Sequence, residues 1–162
     1  MSSKLNIFNA AIAKLRAANM AGQPLSFVKN IYPGVFPTLM DLPAQSYPAI
    51  VVELNDDPEK FFTTGTPPAL KSDFGLFVSC LVFEAKPAVG IIGDATHTPP
   101  IVGLLEFVDA VKNVLQADMT LGGGIGMQKV YFPDTKFSFL FYPTREAKIH
   151  VTLESQLTTT SH

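Results

Sequence analysis

Residues 72–86 constrain this chain more than any other stretch. They read as its longest strand. Phe74, Leu76, Val78, Cys80 and Val82 alternate onto one face, and Phe77, Leu81 and Phe83 alternate onto the other beside Asp73, Gly75 and Ser79. An antiparallel strand with one face in water alternates apolar with polar residues. A strand that is apolar on both faces is expected to be covered on both, by its own domain or by a partner.

The rest of the chain supplies the surrounding elements. Residues 4–20 read as an amphipathic helix, because Leu5, Phe8, Ile12 and Leu15 recur at spacings of three and four; Ser2 or Ser3 can cap it, and Gly22 and Pro24 end it. A short strand is expected over 26–32, broken by Pro33-Gly34. A second, β-branched strand follows over 49–54 and ends at the Asn55-Asp56-Asp57-Pro58 turn. Pro87 closes the long strand. Thr98 and Pro99-Pro100 read as the start of a helix over 99–118, whose core stripe is Ile101, Leu104, Leu105, Val108, Val111 and Leu115. Three closing strands are expected over 127–132, 136–142 and 147–154, the last with Ile149, Val151 and Leu153 inward and His150, Thr152 and Glu154 outward.

Helix, three strands, helix, three strands, several joined by short turns, describe an α+β domain. Two helices are expected to pack on one face of a mainly antiparallel sheet of about five to six strands. A chain of 162 residues suits one domain. It is expected to span residues 1–157, with extended loops at about 33–48 and 55–71 and a frayed polar tail at 158–162.

The chemistry-bearing residues form no catalytic pattern. His97, His150 and His162 have no metal-ligand spacing with one another, with Cys80 or with a carboxylate. Gly122-Gly123-Gly124-Ile125-Gly126 lacks the Lys-Ser/Thr pair and following helix of a phosphate loop, and reads as a flexible joint. Glu53, Asp56, Asp57 and Glu59 gather at a turn, without the spacing of a calcium loop. Cys80, alone in an apolar strand, reads as a small core residue. No cofactor is expected, and the chain is expected not to be an enzyme. The net charge is −2 and no run of Lys or Arg occurs, which argues against gripping a nucleic-acid backbone. No apolar run reaches the ~20 residues of a membrane span, and the first residues lack a signal-peptide pattern.

Large apolar side chains sit where none are needed for a core. Phe36, Leu39, Met40 and Leu42 occupy a proline-bounded loop, and Phe61 and Phe62 occupy another. Burying one Phe or Leu is worth about 1.5–3 kcal/mol, so six left in water would forfeit a large sum. Either these loops fold back on their own domain or they dock on a neighbour. Charged residues are only 16% of the chain against a usual ~25%, which leaves little polar cover for a monomer's surface. These six residues, with Phe77 and Phe83, are therefore the candidate interface anchors.

The order of elements also resembles a known family. The opening helix, the strand ending Ile31-Tyr32-Pro33-Gly34, the long loop into Tyr47-Pro48-Ala49-Ile50-Val51-Val52, the long strand, the Ile101-Val102-Gly103-Leu104-Leu105 helix and the closing strands are similar to the tail terminator and tail completion proteins of long-tailed bacteriophages, the lambda-type minor tail group. The likeness spans nearly the whole chain and rests on element order and size. The chain is somewhat longer than the smallest members, through the loops at 55–70 and 87–99. The resemblance implies helices on an antiparallel sheet and a hexameric ring that caps the tail tube, ends its polymerisation and joins it to the head-tail connector protein. DNA would pass through the lumen as cargo. The expected location is the virion's tail or neck, after assembly in the host cytoplasm, without membrane contact. A head completion protein or other neck or tail-tube subunit shares this outline. A small-ligand binder or enzyme with a site near Asp56 and His97 is a second alternative, and a bacterial α+β protein with no viral role is a third.

Overall fold

A computed structural model of the chain describes residues 4–33, 43–55, 69–117, 128–141 and 143–158. Within them lie helices α1 (Lys4–Ala18), α2 (Pro87–Ile92) and α3 (Leu104–Gln116), and strands β1 (Asn30–Pro33), β2 (Ala49–Asn55), β3 (Ala69–Phe83), β4 (Gln128–Tyr131), β5 (Thr135–Phe141) and β6 (Thr144–Thr158). The six strands form one sheet in the order β1-β2-β3-β6-β4, with β5 also pairing β6. Only the β1–β2 pairing is parallel. The expected α+β architecture is what forms.

The two-sided apolar strand is central, as its sequence demands. β3 pairs antiparallel with β2 on one edge, and on the other with β6 along all fifteen residues of each strand. Register places Ile50, Cys80 and Ala147 in one cross-strand row, and Val52, Val78 and Ile149 in the next. These rows point to the helices and are fully buried there with Leu76, Val82, Val151 and Leu153. Ile149, Val151 and Leu153 thus face inward as expected. The side chains of Phe74 and Glu154 lie outside what the structure describes.

α1 packs through Ala11, Ile12, Leu15 and Ala18, with Phe8 half-buried beside them, a stripe at three- and four-residue spacing. The side chain of Leu5 and the caps at Ser2 and Ser3 lie outside the described residues. After α1 the chain turns at Gly22, whose φ of 80° suits glycine. Asn19 then fixes the descent: its side-chain amide donates to the carbonyls of Leu25 (2.7 Å) and Val28 (2.8 Å). Those carbonyls are therefore taken, and residues 23–28 form turns, with Ser26 and Val28 N–H groups bonded to Gln23 and Leu25. This is why the strand expected over 26–32 is shorter and later, at Asn30–Pro33. Asn19→Ala should lower stability by about 1–3 kcal/mol, because two half-buried carbonyls lose their donor; urea titration of the variant checks it.

α3 buries Leu104, Phe107, Val108, Val111, Val114 and Leu115. Two expectations change here. The helix starts after Gly103 rather than at Pro99, because Ile101 and Asp94 exchange backbone hydrogen bonds, each 2.9 Å, and hold residues 94–101 in a closed loop. Leu105 leaves the core stripe and is exposed, since Phe107 and Val114 set which side of the helix faces the sheet. The connection after Pro87 contains the short helix α2, with Pro87 in its first turn. It lies over Arg145, which is 5% exposed and donates from Nε to the Glu84 carbonyl (2.9 Å) and from a terminal nitrogen to that of Ala85 (3.2 Å). Helix α2 is thus a third helix beside the two expected.

Candidate functional site

Of the eight expected anchors, Phe36, Leu39, Met40, Leu42, Phe61 and Phe62 lie outside the described residues, as do Asp56, Asp57, Glu59 and the glycines 122–126. Phe77 and Phe83 are described, and both project from the sheet face that carries no described helix. That face has a closed centre, where Ala49, Val51 and Leu81 are fully buried under Tyr47 and Tyr32. Around this centre the surface opens in two directions.

The first opening is a concavity beside Phe77, lined by Asp134, Lys136, Ser138, Glu146, Lys148 and His150. Strand pairing builds it. Phe77 stands opposite His150, and Lys136 opposite Lys148. Phe77 is half-buried, with the Lys148 ammonium 5.4 Å from its ring centre and the His150 ring at 5.2 Å. Cations and imidazoles favour such an aromatic face. His150 Nδ1 lies 3.4 Å from Asp134. Two lysines directly opposed across a strand pair repel. Glu146 is 5% exposed and its Oε2 has no hydrogen-bond partner. The patch mixes both signs of charge, so it carries no strong field for either.

The second opening lies at the end of the sheet, beyond Phe83. Phe83 is 42% exposed and stacks on Tyr47 with ring centres 5.6 Å apart. Together with Phe27, Pro48, Val82, Pro99, Pro100, Ile101 and Val102 they line a groove of about 330 Å³. Lys29, Glu84 and His97 are also in its lining. Its floor is firm: Phe27 meets Phe107 edge-on at 5.0 Å, and the Lys29 N–H donates to the Pro48 carbonyl at 2.7 Å. The Tyr47 hydroxyl is buried with no hydrogen-bond partner. An unpaired buried hydroxyl costs about 1–3 kcal/mol until something satisfies it.

His97, the expected solvated loop histidine, is exposed, with Nδ1 2.9 Å from the Pro99 carbonyl. Nearby Asp94 is occupied structurally. Its carboxylate accepts from the Thr96 hydroxyl at 2.6 Å and from the Thr96 N–H at 3.0 Å, and these bonds hold its carboxyl below the usual range against a small opposing effect of desolvation. Cys80 is fully buried, and desolvation above all pushes its thiol up, with the Glu146 charge adding to the effect and Lys112 opposing it. A thiol so placed stays protonated and unreactive. Among the described residues no three or more His, Cys, Asp or Glu are grouped to hold a metal ion, and no helix is long and apolar enough to cross a membrane.

Reading the sequence alone missed Tyr47, Phe27 and the 99–102 prolines and aliphatics as one surface. Tyr47-Pro48 read as the lead-in to a strand and Pro99-Pro100 as a helix start, and their meeting depends on the β1–β2 parallel pairing and the Asp94–Ile101 bridge. It also missed the opposed lysines, which needed the β5–β6 register.

No protein-family model matches the sequence, and no curated protein matches it. A chain in a solved structure of a native gene transfer agent virion particle superposes with a TM-score of 0.49 at 15% identity, over 93% of this chain and 95% of that one. A likeness at this level carries no functional information.

Proposed function

We propose that this chain is a structural subunit of a phage-like virion that works by assembling with copies of itself, and that it does no catalysis. The observation that carries this reading is the placement of aromatic surface. Phe83, Tyr131 and Phe137 are all exposed: Phe83 at the end of β3 and Tyr131 on β4 project from the face opposite the helices, and Phe137 lies on β5, opposite Ala147. Among the described strands β5 pairs only with β6, and an unpaired edge is a surface on which a further chain can add. The low charge of the whole sequence and the apolar residues at 36–42 and 61–62 point the same way.

Within that class the resemblance in element order favours a tail terminator. Its subunits form a ring, a hexamer in this reading, with one face matched to the last ring of tail tube protein and the other to the head-tail connector protein. Growth stops because the second face binds no further tube subunit. DNA passes through the lumen as cargo, which the absence of a Lys or Arg run in the sequence allows. Burial of aromatic and aliphatic side chains supplies the free energy, at about 1.5–3 kcal/mol for each large one fully covered.

The mass of the chain in solution, with and without purified tail tubes, tests this. A closed ring that binds tube ends supports the terminator; open-ended tubes of this chain alone would mean a tube subunit instead. Phe61→Asp combined with Phe62→Asp should leave a folded monomer and weaken self-association at least tenfold by analytical ultracentrifugation. An unchanged oligomer would remove these two residues from the interface.

A further inference from the structure

We propose that the groove between residues 44–48 and 97–102 is the seat for the Phe61–Phe62 segment of a neighbouring copy. This rests on the reading above that the chain assembles with itself, and it names the donor and the acceptor. The groove has the chemistry of an aromatic socket: Phe27, Tyr47 and Phe83 on one side, Pro99, Ile101 and Val102 on the other. At about 330 Å³ it sits at the small end of ligand clefts, suited to one or two side chains. The Tyr47 ring forms part of the wall, while its hydroxyl is buried behind it and takes no part in the contact. Phe61-Phe62-Thr63-Thr64 supplies two aromatic rings followed by two hydroxyls and their carbonyls.

The protomer's own segment is too short to reach its own groove. The segment joins Asn55, the end of β2, to Ala69, the start of β3. Both points lie toward the opposite end of the sheet from Phe83, since Asn55 pairs with Gly75 and Ala69 with Thr158. At ~3.3 Å per strand residue, the groove beside Phe83 is about 26 Å from Asn55 and about 46 Å from Ala69. A connection that visited the groove and returned would need about 70 Å. The chain between Asn55 and Ala69 extends to about 50 Å at most. The strand ends that flank the donor segment and the acceptor groove therefore lie at opposite ends of one sheet, an arrangement in which each copy can fill the next. Contacts of that kind are heterologous, one patch on a different patch, and close into a ring when the rotation allows.

Disulfide trapping in the full-length chain tests the pairing. Native Cys80 is buried and stays silent. His97→Cys places a thiol at the groove, and Thr64→Cys places one just after the two phenylalanines. Mixing the two single variants under mild oxidation should give a covalent dimer containing one of each, and the double variant should give a ladder of linked copies. A double variant that closes on itself within one chain overturns the proposal. So does an intact oligomer that shows no cross-link, an outcome that leaves self-assembly standing. A folded chain that stays monomeric at every concentration overturns both. As a second reading, Phe83→Lys should weaken self-association at least tenfold while the protomer stays folded by circular dichroism; association unchanged by this substitution counts against the groove.

Discussion

Phe107→Ala should cost the protein about 3–5 kcal/mol, the range for truncating a fully buried aromatic ring. Phe107 is fully buried at the middle of the helix layer, in contact edge-on with Phe27. Its removal leaves a void under α3 that neither side can close cheaply. α3 is held to the sheet by Leu104, Val111 and Leu115, and Phe27 is tied to the turn that Asn19 organises. The melting temperature should fall by on the order of 10 °C, given the few degrees per kcal/mol usual at this size. A loss under 1 kcal/mol in a denaturant titration would mean that the helix layer repacks freely and is not the core described.

Gly103→Ala should be at least as damaging, about 3 kcal/mol or more, for a steric reason unrelated to backbone angles. Gly103 has φ −80° and ψ 168°, an extended conformation open to any residue. A methyl group there would run into the backbone nitrogen of Gly93 and the carbonyl of Ile91. Backbone cannot swing aside as a side chain can, so α2 and the start of α3 would have to separate. Gly22→Ala is the control. Gly22 has φ 80°, but nothing lies within 4 Å of its would-be Cβ. It should cost only the left-handed backbone strain, about 1–2 kcal/mol. Denaturant titrations of the two variants give the comparison, and an order with Gly22 the worse would contradict the close crossing at Gly103.

Much of the fold was legible because strong periodicity survives into tertiary structure. The period-two alternation of β3 and β6 and the three-four spacing of α1 each name a buried face, and each face is buried. What was not legible was set by contacts between distant residues. Thr98-Pro99-Pro100 carries helix-start chemistry, yet the Asp94–Ile101 bridge uses it as a turn. Pro87 reads equally as a strand stop and as the first turn of a helix, and Arg145, 58 residues along, lies against the α2 that forms. The stripe of α3 holds at Leu104, Val108, Val111 and Leu115, but Leu105 stood in it where Phe107 and Val114 belong, because all three are apolar and only the sheet decides between them. The candidate site was legible in kind, as aromatic surface with no catalytic company. Its location was not, because Phe83 becomes a groove wall only once Tyr47 and the 97–102 loop arrive from elsewhere in the chain.

The seam between β3 and β6 also sets a timetable. Every one of its fifteen residue pairs joins positions at least about 60 residues apart, and β2 gains its full partner only through the same strand. Chains dominated by such distant pairings pass an entropic barrier before any pairing repays it, and commonly fold in milliseconds to seconds rather than microseconds. Until that seam closes, the Tyr47–Phe83 stack and the groove wall it forms have no backing. On the proposed reading that copies dock through this groove, docking has to wait for folding.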